Sequence, residues 1–269
     1  MSTYAFDQAW QQEQGRLTAL EVVYDGASRR LLDGLGLTTG WRCLEVGGGA
    51  GGIARWLADR VGERGHVLAT DIDIRHLDGH GRTNLEVRTH DIVSDPLDEA
   101  AFDLIHARAV VEHLADRDLV VKRLAAALRP GGWLLIEETD FGGVTAGLLA
   151  AYANVPEAQR GAVERIYLAV ADVFCAIGAD PSYGRRLVDV LTDAGLAGVA
   201  AELHAPVVSG GNEQWTRGSV EQLAGRIVAS GEASAEDVDW FLAATAEAGF
   251  HYLPPLMVSG WGRRDPDKP

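Results

Sequence analysis

Lysine is nearly absent from this 269-residue chain. Lys122 and Lys268 are the only two, and arginine supplies the rest of the 24 basic residues. Against 39 Asp and Glu the formal charge is −15. A surface so short of positive charge excludes a protein that tracks nucleic-acid phosphates, and it argues against docking on anionic lipid. Cysteine is as scarce: Cys43 and Cys175 form no CxxC pair and no disulfide framework, and no metal site is expected. No apolar run approaches the ~18 residues of a membrane span. The opening stretch MSTYAFDQAWQQEQ is polar and acidic, unlike a signal or transit peptide. The expectation is a soluble, cytoplasmic protein with neither nucleic acid nor membrane as partner.

What is present is an ordinary globule, 47% hydrophobic and 23% charged, long enough to bury a large core without staples. Residues 1–40 read as helical, with Trp10, Leu17, Leu20 and Tyr24 near helical spacing. From Trp41 the pattern changes. Short apolar runs at 41–46, 66–73, 85–92, 102–110 and 133–140 alternate with helical segments at 53–61 and 116–128. Such alternation implies a parallel, doubly wound sheet of Rossmann type, with helices on both faces and right-handed crossovers. After Asp140 it stops. Helices are predicted over 157–177, 183–194, 213–229 and 235–248, and strands over 199–208 and near 256–261. The organisation expected is one domain: a helical lid over 1–40, a core over 41–140, helical additions over 141–182 and 209–250, and the rest of the sheet in 183–208 and 251–264.

The chemistry-bearing signal is the segment Glu45-Val46-Gly47-Gly48-Gly49-Ala50-Gly51-Gly52 between a strand and a helix. Glycines permit the tight turn and a close ligand approach, and the helix aims free N–H groups at that ligand. Gly47, Gly49 and Gly52 also satisfy GxGxxG, a weak match to dinucleotide binding. Glu45 separates the readings, because an acid before the bend repels a pyrophosphate but suits a ligand carrying ammonium and sulfonium groups. Asp71, 20 positions after Gly51, suits the two hydroxyls of a ribose in either reading. Asp73 reads as a helix cap. Asp91 after the third strand is a candidate acceptor for an adenine amino group, with Ile92 or Ile72 packed on the ring; the competing reading is a capping aspartate.

These motifs, with FDLIHARAVVEHL (102–114) and LRPGGWLLIEE (128–138), resemble the class I S-adenosylmethionine (SAM)-dependent methyltransferases. The nearest branch is the small-molecule one that includes the ubiquinone and menaquinone C-methyltransferases and natural-product enzymes. The resemblance spans about residues 41–140 and, more loosely, 183–208. It implies a seven-stranded sheet whose last strand, Leu256–Trp261, runs antiparallel between strands five and six. It implies SAM as cofactor. Glu45 with the backbone of Gly47 and Gly49, in a motif completed by Gly51, would hold the methionine end. Asp71 would take the ribose, Asp91 with Ile92 the adenine, and His106 to Arg108 the floor near the sulfonium.

Transfer of a methyl from a sulfonium needs alignment in a dry pocket first, and a base only for a hydroxyl or acidic-carbon acceptor. Candidate bases are His113, Glu138 and Asp140; His204 and His251 read as structural, and Cys43 as inert core. Tyr4, Phe6 and Trp10 are lid candidates, and Tyr152, Tyr167, Tyr183 and Trp215 wall candidates, against the reading that such aromatics are core. The leading expectation is a methyltransferase acting on O, N or C of a small organic molecule, with specialised metabolism as its setting. The alternatives are a SAM-binding enzyme that transfers no methyl, such as a cyclase, an NAD-dependent dehydrogenase, and a non-catalytic binding protein. The helical additions are a candidate homodimer surface.

Overall fold

The computed structural model describes residues 5–7 and 9–267. The chain runs through α1 (Glu13–Gly34), β1 (Arg42–Val46), α2 (Gly52–Val61), β2 (His66–Asp71), β3 (Leu85–Thr89), β4 (Phe102–Arg108), α3 (Arg117–Ala127) and β5 (Leu128–Asp140). It continues through α4 (Val144–Tyr152), α5 (Glu157–Ala176), α6 (Leu187–Asp193), β6 (Ala197–His204), β7 (Val208–Ser209), α7 (Trp215–Ser230), α8 (Ala235–Ala246), β8 (His251–Tyr252) and β9 (Leu256–Arg263). Seven strands form one sheet in the order β3-β2-β1-β4-β5-β9-β6. The pairs among β1 to β5 are parallel, and β9 runs antiparallel to both β5 and β6. This is the expected doubly wound architecture, with the reversed strand where it was expected.

The sheet's two faces bury separate apolar layers. On one, Leu31 and Leu32 of α1 and Leu57 of α2 meet Cys43, Leu104 and Leu135. On the other, Leu124 of α3 and Leu187 and Leu191 of α6 meet Leu44, Ile105 and Ile136. A third cluster joins α4, α5, α7 and α8. There Val163, Ile166, Tyr167, Val170 and Phe174, on one stripe of α5, are buried, with Ile177 partly buried beyond them. Tyr167 donates to the Leu253 carbonyl at 2.7 Å and Tyr183 to Asp118 at 3.0 Å, so both serve the packing and not a pocket wall.

Several boundaries differ from expectation. Strands β2, β3 and β4 stop at Asp71, Thr89 and Arg108, two or three residues early, because the chain leaves the sheet there to build the site. Strand β5 instead begins at Leu128. Arg129-Pro130-Gly131-Gly132 stays at the sheet as an irregularity, with Gly131 at φ +82° and backbone bonds tying Gly131 and Gly132 to Arg264. Pro206 lacks a backbone N–H, so the strand expected over 199–208 ends at His204, and 208–209 pairs separately with 251–252. Helix α4 was not expected: VTAGLLAAY is so uniformly apolar that it shows no 3.6-residue period.

Gly260 marks how closely α6 lies on β9, since a Cβ there would stand 2.8 Å from the Leu187 Cβ and 3.1 Å from Leu191 Cδ1. Gly260→Val is therefore expected to destabilise the fold by about 1–3 kcal/mol through overpacking, read as a lowered denaturation midpoint with an unchanged slope.

Candidate active site

The strands β1, β2 and β4 end side by side at one edge of the sheet, and the order reverses between β1 and β4. Such a reversal opens a crevice. Immediately after β1 the chain bends through Gly47 (φ +67°), Gly49 (φ +54°) and Gly51 (φ +87°) into α2. A Cβ at Gly47 would lie 2.1 Å from Val110 Cγ2, and one at Gly48 2.8 Å from Leu77 Cδ2. The bend thus has both a left-handed backbone and no room for side chains. Asp71 braces it: one carboxylate oxygen accepts from Gly49 N–H at 3.2 Å, the other from Asp73 N–H at 3.1 Å. Burial raises the pKa of Asp71.

A cavity of about 650 Å³ opens over this edge. Of the predicted cofactor residues, Gly47, Gly49, Asp71, Ile72, Asp91, Ile92 and Arg108 all border it. Glu45 and Arg108 line a small adjoining recess against Gly47 to Ala50. Gly51 borders neither; it shapes the turn as the left-handed cap of α2. Asp91 stands where both of its readings place it. It borders the cavity, and it caps the following turn by accepting from Val93 N–H and Ser94 Oγ, each at 2.9 Å. The Val93 bond holds its pKa below the usual aspartate value. Asp73 is a cap, accepting from Arg75 N–H at 3.1 Å.

Beneath the recess lies a buried polar cluster. The His106 ring is wholly buried on β4, with Nδ1 2.7 Å from Glu45 Oε2 and Nε2 2.9 Å from Glu137 Oε2. Burial opposes a charge on the ring, but the two carboxylates outweigh it and lift His106 to about 9. Ser259 Oγ donates to Glu137 at 2.5 Å, and Ser28 Oγ donates to it as well. Arg108 donates to Ser28 Oγ at 2.9 Å and to Asp25 at 2.8 Å. Glu45 is therefore not an open carboxylate: one of its oxygens is committed to His106.

The candidate bases part company. His113 borders the cavity, its ring 5.1 Å from that of Phe174. Burial, with Arg16 and Arg117 nearby, lowers its pKa to about 3, so the imidazole is neutral. Glu138 is spent on structure: its carboxylate accepts from Val111 N–H at 2.9 Å and Glu112 N–H at 3.2 Å. Asp140 is clamped by Arg185, at 3.1 Å to Nε and 2.5 Å to Nη2, and does not border the cavity. Neither carboxylate fits the catalytic role expected of it. Glu112, which sequence reasoning passed over, does border the cavity. One of its oxygens accepts from Thr139 N–H at 2.8 Å and from the Thr139 hydroxyl, and the other lies 3.5 Å from His113 Nε2. Burial pushes its carboxyl up to about 7. Its adjacency to His113 in the VVEHL segment was the available signal.

The aromatic candidates also divide. Trp215 is buried on the cavity wall, edge-on to Tyr24 with centroids 5.3 Å apart. Tyr152 is 60% exposed at the end of α4, and Trp10 leads the chain into α1 away from the wall. The wall expectation fails for Tyr152, which faces out from the end of α4, and the substrate role expected of Trp10 is not met, since it precedes α1 and packs towards Gly218 of α7. Tyr4 lies outside the described residues; Phe6 does border the cavity. Phe141 and Phe174 complete an apolar chamber that no sequence motif announced.

Residues 44–134 match the family model described as a methyltransferase domain. Over this segment the chain is similar to the class I SAM-dependent methyltransferases. The methyltransferase Str2 of Strobilurus tenacellus is 33% identical over 150 residues, covering 54% of this chain and 50% of that protein. The ubiquinone/menaquinone biosynthesis C-methyltransferase UbiE of Laribacter hongkongensis is 32% identical over 109 residues, covering 38% of this chain and 45% of the relative. The chain spans about half the length of the curated relatives it matches. Its fold is shared with phosphoethanolamine N-methyltransferase 2 of Haemonchus contortus, solved with phosphomonomethylethanolamine and S-adenosylhomocysteine. The TM-score is 0.58 at 16% identity, covering 96% of this chain and 58% of the other. A methyltransferase from Bacillus halodurans shares it at a TM-score of 0.57 and 12% identity, covering 88% and 98%.

Because Glu138 satisfies two buried N–H groups of the 111–113 turn, Glu138→Ala is expected to cost the protein about 1–3 kcal/mol or more. Asp140→Ala, whose partner Arg185 is 43% exposed, is expected to cost about 1 kcal/mol or less. Paired urea titrations check the ranking.

Proposed function

We propose that the protein transfers a methyl group from SAM to a hydroxyl or acidic carbon of a small, largely apolar organic molecule. The observation that carries the reading is the bend at Gly47 to Gly49, bare of side chains, opening onto one cavity with Asp71, Asp91 and Ile92. That cradle fits the cofactor. Backbone groups of the bend and Glu45 would hold the methionine end, with Arg108 beside it in the recess. Asp71 would take the ribose, Asp91 the adenine amino group, and Ile72 and Ile92 the faces of the ring. A diphosphate would instead meet Glu45 and Glu21 in that recess, which is repulsive at short range.

When bound, SAM supplies a methyl already activated by a sulfonium. The chain's own task is to hold an acceptor in line with it and keep water out. Phe141, Val170, Phe174 and Trp215 make the rest of the cavity apolar, which supports an acceptor with an apolar body. Glu112 and His113 are the ionisable groups that supply a proton acceptor there. A carboxyl poised near 7 is matched to that work at neutral pH, and the neutral imidazole beside it can pass a proton without carrying charge into the chamber.

Titration calorimetry is expected to show binding of both SAM and S-adenosylhomocysteine. Asp71→Ala should weaken each by roughly tenfold, the scale of one lost hydrogen bond to a charged group. With an acceptor found by screening phenols and acidic-carbon compounds, S-adenosylhomocysteine should appear in step with methylated product. Absence of binding to the wild-type protein would sink the proposal.

The pH profile gives a second check. Glu112 must be ionised to accept a proton, so kcat should climb as pH rises through about 7. Glu112→Gln should flatten that limb and lower kcat by roughly 10²-fold or more, and a profile unchanged by the substitution would remove Glu112 from the chemistry.

A further inference from the structure

The cluster under the recess includes an arrangement that methyl transfer itself does not require. His106 stands on β4 between carboxylates from both neighbouring strands, Glu45 on β1 at 2.7 Å and Glu137 on β5 at 2.9 Å. All three are buried. Only Glu45 reaches the recess wall; His106 and Glu137 border neither the recess nor the cavity. Two carboxylates on one imidazolium leave a single net negative charge. Arg108 and Asp25 beside them, 2.8 Å apart, balance each other. Excess buried charge of this kind is costly in an empty protein and is relieved by a cation brought in from outside.

We propose that His106 and Glu137 are positioning residues that fix Glu45 at the recess and give the floor one net negative charge, so that it prefers a cationic sulfonium ligand to the neutral thioether left after transfer. The inference rests on reading the recess as the methionine end of the SAM site. SAM and S-adenosylhomocysteine carry the same amino acid and nucleoside groups and differ by the methyl and its charge. The ratio of their affinities therefore isolates what the floor does to that charge. A preference of this kind helps product leave, because the floor releases its hold when the sulfonium is consumed.

The groups facing the triad are few. Arg108 is on the same strand, and Asp25, Glu21 and Ser28 come from α1, as does Arg30, which is within electrostatic reach of Glu137 but exposed, screened by water and paired with Glu202. Ser259 comes from β9, and His204 lies on β6 within electrostatic reach of Glu137. Arg29 pairs with the outer oxygen of Asp25 from a half-exposed position, where water screens it. Of these, His106 is the group that titrates near 9. Loss of its proton leaves the floor more negative and should favour the sulfonium further.

The experiment is calorimetric measurement of both dissociation constants in the wild-type protein and in Glu137→Gln at pH 7.5. Glu137→Gln keeps the shape and removes one negative charge. It is expected to lower the affinity ratio of SAM to S-adenosylhomocysteine by about tenfold, the effect of one charge a few ångströms away at protein-like screening. Should the variant fail to fold by circular dichroism, the wild-type ratio between pH 7 and 9.5 decides, with a several-fold rise in favour of SAM expected. Equal weakening of both ligands in the variant, or a ratio flat with pH, overturns the inference and leaves the triad a structural feature. Failure of the wild-type protein to bind either compound would instead overturn the reading of the recess.

Discussion

Everything at the site depends on the backbone after Val46 passing within contact distance of Val110. Gly47 sits where a single added carbon would overlap the Val110 side chain, at a φ that L side chains rarely adopt. Two constraints meet at one residue, so the bend can be neither relaxed nor filled. The consequence reaches in both directions along the chain. Val110 is held by the 111–113 turn, whose first two N–H groups are satisfied by Glu138 and whose third donates to the Val110 carbonyl, and the bend is held from the other side by Asp71. The side chains expected to do chemistry at the strand ends are largely occupied in keeping the bend open.

Helix α1 is what closes the site, and it does so through polar contacts more than apolar ones. Glu21 accepts from Gly52 N–H at 2.6 Å, capping α2 from outside it. Asp25 holds Arg108, Ser28 holds both Arg108 and Glu137, and Tyr24 donates to the Pro255 carbonyl at 2.5 Å. Four positions over two turns thus grip the glycine loop, the floor and the approach to β9. The spacing is that of one helix face, which binds the lid to the sheet edge as a unit. Glu21 also places a carboxylate at the N-terminus of α2, a position that would otherwise attract an anion. That choice is consistent with a ligand whose excess charge is positive.

The sheet and the bend were legible in the sequence because their physics is local. Alternating apolar runs set the strands, and glycines at 47, 49 and 51 announced left-handed backbone. Asp71 and Asp91 were legible because a strand end is a fixed place in a parallel sheet. Roles that depend on distant partners were not. Whether Glu138 faces a ligand or a backbone N–H depends on where the 111–113 turn folds back, and whether Asp140 is free depends on Arg185, 45 positions away. The aromatic candidates failed for the same reason: Tyr152 has the right chemistry on a helix whose rotation its sequence leaves open, and the placing of Trp10 depends on α7, far along the chain. Glu112 was hidden in plain view, since an acid beside a histidine gains its meaning only when both are buried together.

The chamber beyond the cofactor site is where fold and chemistry separate. Its walls come from α1, α5 and α7 and from the segments after β4 and β5, so the geometry of the sheet edge and the glycine bend does not determine them. They bring rings and branched chains, which exclude water, around one carboxyl and one imidazole. Burial acts on those two groups in opposite senses, raising the carboxyl of Glu112 and depressing the imidazole of His113. Their ordinary affinities for a proton, about two units apart, are thereby reversed in order. In this chamber the carboxylate is the better base and the imidazole the better conduit. An amine acceptor presented as the free base needs no such pair, whereas a hydroxyl or acidic carbon must shed a proton as its new bond forms. The burial of Glu112 among apolar walls is thus what supports the proposal of an acceptor of the second kind.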